Sequence, residues 1–384
     1  MQTKIVNKAY NFRIIPNKAQ EELINKNIGC VRFVFNHFLA QSIDDKYLSY
    51  SKFASRLPKL KKEYNWLKEV DSISLQQSLK DLDKAFNRFF KGLGGFPKFK
   101  CKKNNKESYR TQYFKRSSGT ESIEIKDNKI KLPKLGWVKF KKSRELKGRI
   151  QNVTIRKSKA GKYYISICVE TDKKTIKKEF SEQNKNQIKE TKKEIGIDLG
   201  LKDFLITSDG EKIKNPRIAK KYEKKIAKLN RKLSRKERGS NNWKKIKNQL
   251  AKVHKKIANI RKDFLHKLST KLIRENQTIV VESLKVKNML KNSRLAKSIS
   301  DVSWSKFIDL LSYKAEWYGR ELIKIDTFFP SSQLCSECGY QNKEIKDLSI
   351  REWECPKCHS IHDRDINASK NILQQGLQLQ LDSR

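Results

Sequence analysis

A chain of 384 residues exceeds what one hydrophobic core ordinarily sustains, so two or three domains are expected. Its 88 Lys and Arg against 42 Asp and Glu give a formal charge of +46 spread through nearly every segment, and a globule so charged repels itself unless a polyanion, in practice nucleic acid, neutralises it. No apolar stretch reaches the ~20 residues that cross a bilayer, which argues against a membrane partner, and the opening MQTKIVNKAYNF lacks the apolar run of a secretory signal, which places the protein in the cytoplasm.

Residues 3–14 alternate, with Tyr10, Phe12 and Ile14 on one face and Pro16 ending the run, which predicts an isolated strand in need of partners. Asn17 followed by Gln20 forms a capping box that opens a helix through Ile24, Ile28, Val31 and Phe35. Beyond a weaker stretch containing Pro58, the residues Leu75, Leu79, Leu82, Phe86 and Phe89 recur at spacings of four and three until Gly92 stops the pattern. The other side of that helix carries Lys80, Lys84, Arg88 and Lys91, at positions that reach phosphates or simply face solvent.

From about residue 109 to 190 the period becomes two: SIEIKDNKIKL turns at Asp127 and Asn128, and VTIRKSKAGKYYISICV turns near Gly161. The pattern predicts a small β-barrel, closed by the strand at 3–14. The barrel is then discontinuous, over 1–16 and 96–180, with a helical domain inserted at 17–95 and a polar linker at 181–193.

EIGIDLGLKDFLITSDGEKIKNP reads as strand, strand, Asp209-Gly210 turn and strand. A helical hairpin follows over 216–276, in which Tyr222, Ile226, Leu229 and Leu233 face a stripe running from Trp243 through Val253, Ile257 and Ile260 to Phe264. TIVVE at 278–282 is a short buried strand ending in an acid, a helix is marked by Trp304, Phe307 and Leu311, and ELIKIDTFF gives the last strand.

Three acids stand at the ends of these C-terminal elements: Asp198 between Gly196 and Gly200, Glu282 closing TIVVE, and Asp365 opening a helix in DRDINASKNIL. A carboxylate on a central strand costs several kcal/mol of desolvation unless a cation meets it. The element order allows an RNase H-like sheet that brings the three together, a set suited to two Mg²⁺ (or Mn²⁺) ions about 3.5 to 4 Å apart acting on a phosphodiester. Asp363 and Asp326 are rival third acids, and Asp365 is preferred because its side chain can point back from the first helical turn toward the sheet.

Of seven cysteines, Cys335, Cys338, Cys355 and Cys358 form two C-x₂-C pairs, the spacing of one structural, four-thiolate Zn²⁺ site rather than of a disulfide framework. His359 and His362 lie close enough to compete as ligands. The fold class predicted is thus α+β and multidomain: a discontinuous β-barrel with an inserted helical domain, then an RNase H-like domain over 194–330 and 359–384 with a zinc ribbon inserted at 331–358.

KAYNFRIIPNKAQ, CVRFVFNHFL, LQQSLKDLDKAF, FPKFK, GIDLG, VVES, FFPSSQLCSECG and DRDINASKNIL, in that order, resemble the landmarks of the TnpB family of insertion-sequence nucleases, relatives of the type V CRISPR effectors. The resemblance implies a wedge-like barrel, a helical recognition domain and a RuvC nuclease domain with Asp198, Glu282 and Asp365 as its acids. It further implies a guide RNA transcribed from the transposon end, double-stranded target DNA cut beside a short transposon-adjacent motif, and a monomer with its RNA in the bacterial or archaeal cytosol. Gln77, Lys80 and Lys84 stand where that motif would be read, since Gln pairs with adenine and Lys with guanine or phosphate. Two alternatives remain at this stage, a nuclease-inactive RNA-guided repressor and a transposase performing strand transfer.

Overall fold

The computed structural model of the protein describes residues 5–44, 47–102, 107–115, 117–176, 178, 192–347 and 349–382, in two units, 1–175 and 176–384. Most of the expected linker, 181–191, lies outside the described residues.

The first unit begins with β1 (Ile5–Ile15), whose alternation buries Tyr10, Phe12 and Ile14. Its partners come from far along the chain: it pairs antiparallel with β7 (Tyr163–Asp172) and, at its end, with β5 (Gly136–Phe140). With β2 (Ser108–Gln112), β3 (Glu124–Lys126), β4 (Lys129–Leu132) and β6 (Arg149–Lys157) these make a seven-stranded sheet in the order β2-β6-β7-β1-β5-β4-β3. The inward residues of its strands, among them Phe140, Val153, Ile165 and Ile167, form one core. The two edge strands are joined through a hairpin in which Ser122 N donates to Phe114 O at 3.0 Å.

The capping box is present in full. Gln20 N donates to Asn17 Oδ1 at 2.8 Å and Asn17 N to Gln20 Oε1 at 3.1 Å, starting α1 (Lys18–Asp44). Helices α2 (Tyr50–Glu63) and α3 (Ser72–Phe90) pack with α1 around Phe38, Phe53, Leu75, Leu79 and Phe86. One expectation fails here: Phe89 shares the period of that core but is 37% exposed, its ring set edge-on to Phe96 at 5.3 Å outside the three-helix core.

In the second unit β8 (Glu194–Asp198), β9 (Asp203–Thr207), β10 (Lys212–Lys214), β11 (Thr278–Glu282) and β12 (Glu321–Ile325) form a sheet in the order β10-β9-β8-β11-β12. β8 and β10 each run antiparallel to β9, while β11 and β12 lie parallel to β8. The hairpin consists of α4 (Ile218–Ser234) and α5 (Asn241–Glu275), joined around Ile218, Leu229, Val253 and Ile257. Ile260, expected on that seam, is 38% exposed. The reason is length: α4 is only 17 residues, and past Ile257 the longer α5 turns Leu265, Leu268 and Leu272 into a different core.

Short α6 (Val286–Met289) and α7 (Ser293–Val302) lead to α8 (Trp304–Tyr318). The buried Lys314 ties α8 to α5 by donating to His266 O, Ser269 Oγ and Thr270 Oγ1 at 2.7 to 2.9 Å. The cysteine segment forms a hairpin of β13 (Glu352–Glu354) and β14 (Ile361–Asp363), which runs directly into α9 (Arg364–Asp382). The hairpin's return strand, ending at Asp363, is also the lead into the helix.

Candidate metal and nucleic-acid site

Asp198 and Glu282 end the parallel neighbours β8 and β11, one residue beyond the paired Ile197 and Val281, so both carboxylates leave the sheet at the same edge. Helix α9 brings the third acid by lying directly on β8. Gly196 makes that approach possible, since a Cβ there would sit 2.1 Å from Ser369 O and 2.8 Å from Leu373 Cβ. Gly376 does the same against β11, where a Cβ would meet Val280 Cγ1 at 2.3 Å. Asp365 stands in the first turn of α9, where the helix N-terminus favours an acid.

Asp198 feels the other two acids. Burial, then the charges of Glu282 and Asp365, push Asp198 up to about 8, with Arg364 partly offsetting them. Burial also raises Glu282, whose carboxylate accepts from Ser331 Oγ at 2.6 Å. The rivals are occupied elsewhere: Asp363 caps α9 by accepting from Asp365 N and Ile366 N and pairs with Lys212, and Asp326 accepts from Phe328 N in a turn. Carboxylate oxygens suit hard divalent ions, which take oxygen ligands. The carboxylates are spread more widely than the thiolates: among the described residues, only the four cysteines have ligand atoms all within 4.8 Å of one another.

The sulfurs of Cys335 and Cys358, and of Cys338 and Cys355, lie 3.6 Å apart. Four sulfurs about 2.3 Å from a common centre stand roughly 3.8 Å from each other in a tetrahedron, so this spacing fits zinc. His362 Nε2, 3.1 Å from Cys335 Sγ, is buried beside the cluster, whereas His359 turns out to Glu354.

Several residues at this site carried no sequence signal. Arg351, on the ribbon, extends Nη1 to within 3.5 Å of Asp365 Oδ2. Asn367 and Asn371, one turn apart on α9, hold the chain entering the ribbon: Asn367 accepts from Ser336 N and donates to Leu334 O, and Asn371 donates to Ser331 O and Leu334 O. The predicted reading residues sit on α3 in the other unit. Gln77 is buried and donates to Gln112 Oε1 at 3.1 Å, Lys80 lies over the Tyr50 ring, and Lys84 is exposed.

Comparison with known proteins gives three family profiles, described as "Probable transposase" over residues 166–293, "Cas12f1-like, TNB domain" over 304–372 and "Helix-turn-helix domain" over 1–47. The chain is 37% identical over 97% of its length, and 90% of the relative's, to a Streptomyces pristinaespiralis protein named "Putative RNA-guided DNA endonuclease". It is 35% identical, over 96% of its length and 92% of the relative's, to an Escherichia coli K12 protein named "Putative RNA-guided DNA endonuclease InsQ". Among solved structures, a Cas12f1-sgRNA-target DNA complex covers 96% of this chain and 99% of its own at 15% identity and a TM-score of 0.36, a superposition too loose to bear on the fold.

Proposed function

The chain belongs to the TnpB family, and from that premise we propose that it is an RNA-guided, Mg²⁺-dependent DNA endonuclease of a transposable element. The observation that supports the proposal is geometric: Asp198 and Glu282 end adjacent parallel strands, and α9, packed on β8 at Gly196, carries Asp365 in its first turn. Asp198, Glu282 and Asp365 would hold two Mg²⁺, and bound there the ions supply Lewis acidity and an acidified attacking water. The protein's own part is positional: β8 and β11 fix two carboxylates, α9 fixes the third, and Arg351 offers guanidinium donors beside them. Zinc on the four cysteines would hold the ribbon's shape, and the ribbon's contacts with Asn367 and Asn371 would in turn hold α9.

In the same reading the sheet order β10-β9-β8-β11-β12 is an RNase H-like, RuvC-type sheet, and the seven-stranded sheet is the wedge-like barrel with the helices of 17–95 as its inserted recognition domain. The excess of positive charge suits a guide RNA paired with one DNA strand, gripped by its backbone while base pairing supplies specificity. The same excess opposes self-association and favours a monomer with its RNA. Gln77, Lys80 and Lys84 remain the proposed readers of the adjacent motif. Gln77 gives one amide hydrogen to Gln112, which leaves its carbonyl and second amide hydrogen for that role.

The test is to sequence the RNA that copurifies with the protein and to supply DNA matching its variable end. Metal-dependent cutting of matched DNA only supports the reading. Binding without cutting identifies a repressor, and strand joining without RNA identifies a transposase.

A further inference from the structure

At the end of α3 the chain turns five large apolar side chains to solvent within eleven positions: Phe89, Phe90, Leu93, Phe96 and Phe99, with Phe90 58%, Leu93 65% and Phe99 54% exposed. The backbone that presents them is held at both ends. Gly92 takes φ +66° in a Schellman turn, with Leu93 N donating to Arg88 O at 2.8 Å and Gly92 N to Phe89 O at 2.9 Å. The residue at position 93 of such a turn ordinarily packs back on its helix, yet here it faces outward. Arg88 Nη2 also reaches Leu93 O at 3.2 Å, and at the far end Asn36 clamps Lys100 by exchanging hydrogen bonds with its N and O at 2.8 and 2.9 Å.

The charge around these rings is of one sign. From Lys84 to Lys106 the sequence holds eight Lys or Arg and no Asp or Glu, and Lys84, Arg88, Lys91 and Lys98 are exposed. Aromatic faces among cations match a ligand with flat apolar faces and a negative backbone. A second copy of this chain is a poor partner, since it brings its own charge of +46. Duplex nucleic acid offers phosphates but hides its base faces, whereas unpaired RNA offers both.

We propose that this patch is a stacking platform for unpaired nucleotides of RNA, with Phe90 and Phe99 against bases and Lys91 and Lys98 against phosphates. Its choice of RNA over other single strands rests on the RNA-guided reading above. The site shares no residue with the acid set and needs no metal.

The experiment uses the full chain freed of copurifying RNA at high salt, with a single-stranded RNA of about 12 nucleotides, in the range of known single-strand sites, carrying 4-thiouridine. Photocrosslinks are expected on the peptides between residues 89 and 100. Phe90→Ala with Phe99→Ala is expected to weaken RNA binding roughly 30-fold or more while leaving its salt dependence unchanged. Lys91→Ala with Lys98→Ala is expected to weaken binding and flatten the salt dependence. Phe90 also packs on Tyr47 and Phe86, so unchanged thermal unfolding is checked first, and Phe99→Ala alone carries the test if the pair unfolds. Wild-type affinity in the Phe variant with crosslinks elsewhere overturns the platform, as does Phe-dependent binding of phosphatidylserine vesicles in place of RNA. Stacking here by a protein that leaves guide-matched DNA uncut sinks the nuclease reading alone, and the reverse pattern sinks only the platform.

Discussion

Replacing Gly196 by Ala tests whether close packing of α9 on β8 sets the position of the third acid. The added methyl would lie 2.1 Å from Ser369 O and 2.8 Å from both Leu373 Cβ and Leu373 N, against the 3.4 Å at which ordinary contact begins. Two of those three atoms belong to the helix backbone, so no side chain can swing aside and the helix itself must retreat by roughly 1 Å. Overpacking a core costs about 1 to 3 kcal/mol, and a main-chain obstacle puts this case at the upper end, about 3 kcal/mol. For a unit of this size that corresponds to a fall in melting temperature of about 6 to 12 °C. Asp365 rides on the same helix one turn upstream of Ser369, and a displacement near 1 Å in a catalytic group lowers turnover by about 10². Thermal unfolding and guide-directed cleavage would be measured beside Gly29→Ala, a helix position where a Cβ meets nothing within 4 Å and where Ala should be neutral or stabilising. A Gly196→Ala protein that melts and cuts like wild type refutes the reasoning.

Asp198→Asn should stabilise metal-free protein near pH 8 by on the order of 5 kcal/mol, read as a raised melting temperature, because an acid raised to about 8 in the fold opposes folding when ionised. The sign follows from the raised value. The stability linked to its protonation is fully present below the unfolded carboxylate range and lost as pH rises through about 8, so the gap between variant and wild type should narrow from pH 8 toward pH 4. A constant gap across that window contradicts the coupling. Zinc analysis should find one ion per chain, and Cys338→Ser with Cys355→Ser should abolish it and open residues 331–363 to protease; unchanged proteolysis would deny the ion its structural role. Gln20→Ala should cost about 1 kcal/mol by breaking the capping box and its further bonds to Leu135 O and Trp137 O, as read by chemical denaturation of the first unit.

Periodicity and spacing reveal what is local. The alternation of Tyr10, Phe12 and Ile14, the Asn17 and Gln20 pair, TIVVE and the doubled C-x₂-C all became the structures their patterns imply. Pro58 weakened the pattern without ending the helix, since Leu57 and Leu60 beside it are buried and hold α2 in place. A period names a face but not what covers it, which is why Phe89 and Ile260 read as core and are exposed. Contacts that depend on where a whole segment docks, such as Arg351 at Asp365 or Asn371 at Ser331 and Leu334, leave no trace in spacing. Gly196 was visible as a neighbour of Asp198, but its purpose appears only when α9 is laid across it.

The measurement that bears most directly on the account is a crystal of the protein with its RNA soaked in Mn²⁺, examined by anomalous scattering. Peaks bounded by Asp198, Glu282 and Asp365, absent from an Asp198→Ala crystal, are predicted. Cleavage under the same conditions with no manganese among those three carboxylates would contradict the account.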